Sequence, residues 1–153
     1  DLLARLDRDV ILRRPDWAII SIGINDVWHD YLPDEVGVGF PEFKARYAEM
    51  IKKLTKQSQA RIVLLTTTVI GEELENEANS RLAEYNRFIR EIAHSSGLLL
   101  VDVNKAYHRA IQKGRKADPG YRLTVDGVHP NLAGHLLIAT AVLQKLGFNL
   151  EIP

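Results

Sequence analysis

Apolar residues recur along this chain in two alternating rhythms. Leu2, Leu3, Leu6, Val10 and Ile11 are spaced for one helical stripe, which Pro15 stops. Residues 16–23 (DWAIISIG) then form a near-continuous apolar run rich in Ile, the pattern of a strand covered on both faces of a parallel sheet. Similar runs follow at residues 61–67 (RIVLLTT) and 98–102 (LLLVD). Between the first two, Pro41 opens a helix whose Phe43, Tyr47, Ile51 and Leu54 share a face. Between the second and third, Leu82, Tyr85, Ile89 and Ile92 carry another helix, which Gly97 ends. A short helix is expected at residues 106–111 and a long one at 130–145, with Gly147 just beyond. Stretches 27–40, 71–79 and 113–122 read as connections, the first broken by Pro33, Gly37 and Gly39 and the last by a Pro119-Gly120 turn. Strand alternating with helix predicts an α/β fold: one domain over residues 1–153, a parallel sheet with helices on both faces.

Composition narrows the function classes. At 153 residues the chain can bury roughly 68–70% of its unfolded surface. Twenty basic residues balance twenty acidic ones, so no net field recruits nucleic acid or an anionic membrane. The basic clusters Arg13-Arg14, Lys52-Lys53 and 113–116 are scattered, as solvated faces are. The absence of cysteine excludes disulfides, thiolate metal sites and cysteine nucleophiles. No apolar run approaches the ~20 residues that span a bilayer. The chain starts at Asp1 without an initiator methionine and runs straight into a helical pattern, which leaves the compartment open.

Two tetrapeptides carry the candidate chemistry. Gly23-Ile24-Asn25-Asp26 follows the first predicted strand, and ligands of open α/β sheets sit beyond the carboxyl ends of strands. An Asn side-chain amide there can donate an uncharged hydrogen bond to a developing oxyanion. The plain alternative is an Asx turn at Asn25, with Gly23 relieving crowding. Asp126-Gly127-Val128-His129 precedes the last helix. Pro130 pushes His129 out of the helical region, and Asp126 can accept a hydrogen bond from one ring nitrogen, leaving the other free as a general base. A helix-capping His beside a turn Asp is the plain alternative. Gly23, Trp28, His29 and Tyr31 are candidate substrate-binding residues; for the last three the plain alternative is packing of a surface loop. Asp26 is expected to buttress its loop, Asp102 to hydrogen-bond neighbouring loops, and His135 to be packed or capped. His94 and His108 read as surface residues.

Found together in this order, the two motifs resemble blocks of the SGNH superfamily of hydrolases, the GDSL-type esterases and lipases. Gly23-Ile24-Asn25-Asp26 is similar to the third block of that family and Asp126-Gly127-Val128-His129 to the fifth. The stretches RRPDWAIISIGIND, EYNRFIREIA, LLLVDV and DGVHPNLAGHLLIA agree, so the resemblance covers nearly the whole chain. It implies a three-layer, flavodoxin-like sheet of about five parallel strands and ester hydrolysis through a serine acyl-enzyme. It further implies Asn25 as an oxyanion donor, Asp126 as the carboxylate orienting His129, and His129 as the base, with no cofactor and no metal ion. A small ester or acetylated carbohydrate is the expected substrate.

The family's Gly-Asp-Ser block and the Gly block after it have no counterpart here. Ser21, Ser58, Ser80, Ser95 and Ser96 all lie in other contexts. The expectation is therefore the C-terminal part of a longer hydrolase, inactive alone, whose N-terminal strands and nucleophile come from a missing segment of the same protein. Losing those strands should leave the 16–23 strand with an open apolar edge. Two other readings stand beside this one. Asn25, Asp26, His29, Asp30, Asp126 and His129 could serve a metal-dependent hydrolase. The fold could also be a non-catalytic, doubly wound binding module. No Gly-rich phosphate loop follows any strand, which argues against nucleotide binding.

Overall fold

The computed structural model describes residues 2–148, so Asp1 lies outside the described residues. Its elements run α1 (Leu2–Asp9), β1 (Trp17–Ser21), α2 (Ile24–Trp28), α3 (Phe40–Gln57), β2 (Arg61–Leu65), α4 (Glu77–Ser95), β3 (Leu99–Val101), α5 (Val103–Ala117) and α6 (Leu132–Lys145). Single 3-10 turns at Ile11–Arg13 and His29–Tyr31 follow α1 and α2. The three strands are parallel in the order β1-β2-β3, with Ile19 opposite Val63 and Val63 opposite Leu99.

Pleating sorts the strand residues into two cores. Ala18, Ile20, Ile62 and Leu64 face a cluster built from Leu6 of α1, Phe43, Tyr47, Met50, Ile51 and Leu54 of α3, and Leu82, Tyr85 and Ile89 of α4. Val63, Leu65 and Val101 face the opposite way, onto Val103, Tyr107 and Ile111 of α5 and half-buried Leu137, Ile138, Ala141 and Val142 of α6. The sheet is thus the middle of three layers. The α3 and α4 crossovers lie together because parallel crossovers share one hand, and a sheet growing in one direction collects them on one face. Phe43 centres the first core, with ring centroids 4.7 Å from Tyr85 and 5.3 Å from Tyr47. Truncating a fully buried residue such as Leu64 or Leu82 should cost about 2–5 kcal/mol.

The strand positions follow the apolar runs, but β1 is covered on one face only. Its pattern alternates, and Ile19 is 49% exposed while Ile20 is 9%. The reason is placement: α6 packs against β3 rather than across to β1. Among the described strands only β2 reads as covered on both faces, with Ile62 to Leu65 all buried. Among the described residues β1 is an edge strand, and a groove of about 450 Å³ runs beside it, lined by Leu6, Val10, Ala18 and Leu54.

Other expectations need correction. The 27–40 connection begins inside a helix, since α2 runs to Trp28 and a 3-10 turn follows. The expected 106–111 helix is fifteen residues long, and its basic last turn (Arg115, Lys116) suits the negative end of a helix dipole. The third loop therefore begins at Asp118, not at 113. α6 starts after Asn131, whose side chain caps it by accepting from Gly134 N at 2.9 Å.

Candidate active site

The Asp126–His129 turn is a closed local unit. An isolated antiparallel bridge joins Thr124 to Pro130, and Val125 N donates to His129 O at 2.9 Å. Inside it, Asp126 Oδ1 accepts from Val128 N at 3.0 Å and His129 N at 2.8 Å. Gly127 holds the bend at φ +97°, where a side chain would be strained. The remaining oxygen, Asp126 Oδ2, lies 2.7 Å from His129 Nδ1. That ring hydrogen bond, then the two backbone N–H donors, hold the Asp126 carboxyl well below the ordinary carboxylate range. The His129 ring is exposed, and among the described residues its second nitrogen makes no hydrogen bond, to a serine or to any other group.

The Asn25 corner is assembled by tertiary contacts instead. Gly23 leaves β1 at φ +120°, and a Cβ there would sit 3.2 Å from Thr67 Cγ2 and 3.4 Å from the Phe43 ring. Only glycine satisfies both the backbone angle and the space, so the crowding expected at Gly23 is real. The chain then turns directly into α2. Asn25 is exposed, and its amide makes no hydrogen bond among the described residues, so no Asx turn forms there. Burial raises the Asp26 carboxyl above its ordinary value, partly offset by its own backbone N–H and by His29. A hollow of about 630 Å³ opens at this corner, lined among others by Ser21, Gly23, Asn25, Asp26 and Phe43.

Trp28 links the two arms. It stands three residues after Asn25, on the same side of α2, and its ring meets the His129 ring edge-on at 5.2 Å between centroids. Asn25, Trp28, Asp126 and His129 are therefore gathered at the carboxyl end of the sheet, although the hollow beside Asn25 is not lined by Asp126 or His129. His29 and Tyr31 are engaged elsewhere. His29 Nδ1 lies 2.9 Å from Glu35 Oε2, and Tyr31 packs under the Arg81 guanidinium at 5.6 Å. Arg81 also grips Asp30 at 2.5 Å, and Asp30 accepts from Gly37 N, which pins the 29–37 loop onto α4. Among the described residues no three His, Asp or Glu side chains gather as a metal ion would require. Of the six candidate ligands, Asp126 and His129 pair with each other, His29 pairs with Glu35 and Asp30 with Arg81, while Asn25 and Asp26 belong to none of these pairs.

Several supporting residues escaped the sequence reading. Asn79 and Asn86 lie seven apart on the apolar stripe of α4, which is the signal that could have revealed them. Asn86 Oδ1 accepts from Thr67 N and Oγ1, and Asn79 Oδ1 from Ile70 N, so α4 holds the segment that follows β2. Asp102 does bond its neighbours, as expected, accepting from Thr66 Oγ1 at 3.1 Å and from Arg90 Nε at 2.9 Å. His135 is exposed rather than packed. His108 is half-buried rather than on the surface, and burial lowers its pKa.

Known proteins resemble this chain in sequence and in overall fold. The model of the GDSL-like Lipase/Acylhydrolase family matches residues 1–137. An acetylxylan esterase of Geobacillus stearothermophilus is 35% identical over 151 residues, which cover 97% of this chain and 67% of that enzyme. The crystal structure of Axe2, an acetylxylan esterase of the same organism, superposes with a TM-score of 0.85 at 32% identity over 97% of this chain and 67% of that one. LAE5, an alpha/beta hydrolase enzyme from the metagenome of Lake Arreo, gives a TM-score of 0.82 at 34% identity, over 96% of this chain and 66% of that one. Catalytic mutants of Axe2 replace by alanine a serine, an aspartate, and a histidine three positions after the aspartate. With the family model matching residues 1–137 and relatives above 30% identity, the chain belongs to the GDSL-like lipase/acylhydrolase family, an α/β family of ester hydrolases.

Proposed function

We propose that this chain supplies the general base and one oxyanion donor of a serine esterase that removes small acyl groups from an acetylated carbohydrate. One observation carries the reading: His129 Nδ1 is held 2.7 Å from Asp126 Oδ2, with the ring exposed beside the helix that bears Asn25. The identity to acetylxylan esterases, and the same three-residue spacing of aspartate and histidine in Axe2, support the substrate class and the pair.

The chemistry follows from the bonds present. With Nδ1–H donated to Asp126, the His129 ring carries its lone pair on Nε2. Nε2 takes the proton of a serine hydroxyl as that oxygen attacks the ester carbonyl carbon. Charge moves to the carbonyl oxygen, where the Asn25 amide donates. The intermediate collapses by breaking the bond to the sugar oxygen, which leaves with the proton from His129. Water then repeats the sequence on the acyl-serine and releases the carboxylic acid. Asp126 stays ionised throughout and steadies the imidazolium.

The nucleophile comes from outside these 153 residues, from a Gly-Asp-Ser strand seated on the open edge of β1. Ser58 Oγ accepts from Ala60 N, and the Ser80 and Ser95 hydroxyls bond carbonyls of their own helix, so none of these three is directed at His129. The test is a serine-reactive phosphonate probe and an acetylated xylo-oligosaccharide assay, each run on the full-length protein and on residues 1–153. The full-length protein should label and release acetate, and the shorter chain should do neither. Labelling of the shorter chain at one of its own serines would overturn the assignment of the nucleophile.

A further inference from the structure

Glu72 has no place in the chemistry above, yet it is the most deeply buried carboxylate among the described residues, with its side chain 3% exposed. Its Oε1 accepts three hydrogen bonds, from Leu123 N at 2.8 Å, Thr124 N at 2.8 Å and Thr124 Oγ1 at 2.5 Å. Those two residues lead directly into the Asp126–His129 turn, and Thr124 is one side of the bridge that closes it. The next residue back makes a second hold, since Gly71 N donates to Gly127 O at 2.7 Å, in the bend of the turn itself. Arg115, with Nη2 3.7 Å from Glu72 Oε2, supplies the opposite charge that a buried carboxylate needs.

We propose that Glu72 is the positioning residue of the His–Asp turn: it clamps the entering limb so that His129 faces the reacting atoms. The proposal rests on the assignment of Asp126 and His129 made above. The turn needs such a clamp because, the Gly71 N–H on Gly127 O apart, its own bonds are internal. The Thr124–Pro130 bridge and the bonds to Asp126 Oδ1 fix its shape, but they do not fix where that shape sits relative to α2 and Trp28. Its trailing limb is held by Asn131, through N to Leu123 O and through Nδ2 to Arg122 O, and these contacts reach only to the same limb pair. Glu72 and Gly71 are the bonds that connect the turn to the segment beyond β2, which α4 holds through Asn79. One oxygen serving three donors suits a carboxylate, whose charge strengthens each bond, better than a neutral amide. Leu123 N and Thr124 N are buried and have no other acceptor among the described residues.

Hydrogen exchange and kinetics on the full-length protein test this. In Glu72→Ala, the amides of Val128 and His129, which do not touch Glu72, should exchange at least about tenfold faster, while those of Val63 and Leu64 in β2 keep wild-type protection. In the same variant kcat should fall on the order of ten- to a hundredfold with KM within about twofold, the signature of a misplaced base. Glu72→Gln keeps an acceptor oxygen and should restore most of both. Should Glu72→Ala fail to fold, Thr124→Val carries the test, since removing one of the three donors should speed exchange at Val128 and His129 a few-fold. Unchanged exchange at those two amides, or loss of protection in step with β2, overturns the proposal. A His129→Ala enzyme that retained activity would instead overturn the esterase assignment, and the exchange data would still decide whether Glu72 holds the turn.

Discussion

The Asp126–His129 turn closes its own hydrogen bonds within the seven residues from Thr124 to Pro130, whereas Asn25 stands on a five-residue helix that could not persist alone. The first arm is specified by neighbours in sequence: a carboxylate, a glycine bend and an imidazole three positions on. The second depends on Gly23 fitting between Thr67 and Phe43, and on Arg81 of α4 pinning the 29–37 loop. A base must hold one tautomer, and a local hydrogen bond suffices for that. An oxyanion donor must sit where charge develops, and only the packed ends of the sheet can define that point.

The largest effects should fall on the self-contained arm. His129→Ala should lower kcat of the full-length enzyme by at least about 10⁴-fold, and Asp126→Asn by on the order of 10⁴-fold through the wrong tautomer. Both should leave the thermal midpoint nearly unchanged, because the ring and carboxylate are half exposed or more. A large drop in stability in either variant would show that the turn is a structural strut instead. Asn25→Ala should cost about 10²–10³-fold in kcat, or roughly 2.7–4 kcal/mol. A change confined to KM would remove Asn25 from the oxyanion site.

A third change separates the arms by stability. Gly23→Ala strains a positive-φ position with little free space and should destabilise the protein by about 1–3 kcal/mol in denaturant unfolding. Exchange of the Val128 and His129 amides should stay at wild-type protection in that variant. Loss of protection there would mean that the arms are one cooperative unit.

The smallest effect concerns Asp102, at the carboxyl end of β3. Burial pushes its carboxyl up, but Arg90, Lys105 N and Thr66 outweigh burial and leave it below its ordinary value. Its stabilising contribution is therefore present above about pH 4 and fades as pH falls through the lower folded value. Asp102→Asn should unfold at lower denaturant than wild type at pH 7, and the gap should close in acid. A gap that stayed constant between pH 7 and 3 would assign the loss to packing rather than to charge.

Much of the molecule was legible before any coordinates. The three strands follow from apolar runs, because a strand packed under helices in a parallel sheet is hydrophobic along most of its length. The His–Asp pair follows from a spacing that two backbone N–H bonds and one ring bond to Asp126 convert directly into geometry. What was misread was contextual. β1 looked covered on both faces because an Ile-rich run does not say which of its sides a distant helix will reach. α2 was hidden in a presumed loop, since five residues are too few to display a helical period.

Glu72 marks the limit most clearly. In the stretch GEELENE it reads as one more solvated acid, and Glu73 and Glu75 beside it are exposed. Its burial arises because the turn after α5 folds back and presents two backbone N–H groups and a hydroxyl to a single oxygen. Sequence by itself determined which residues could form a base and a parallel sheet, since those depend on near neighbours and on pleat or helix period. Tertiary structure alone decided which charge is buried, which strand face is open and what aims the imidazole, because each of these is a meeting of segments fifty or more residues apart.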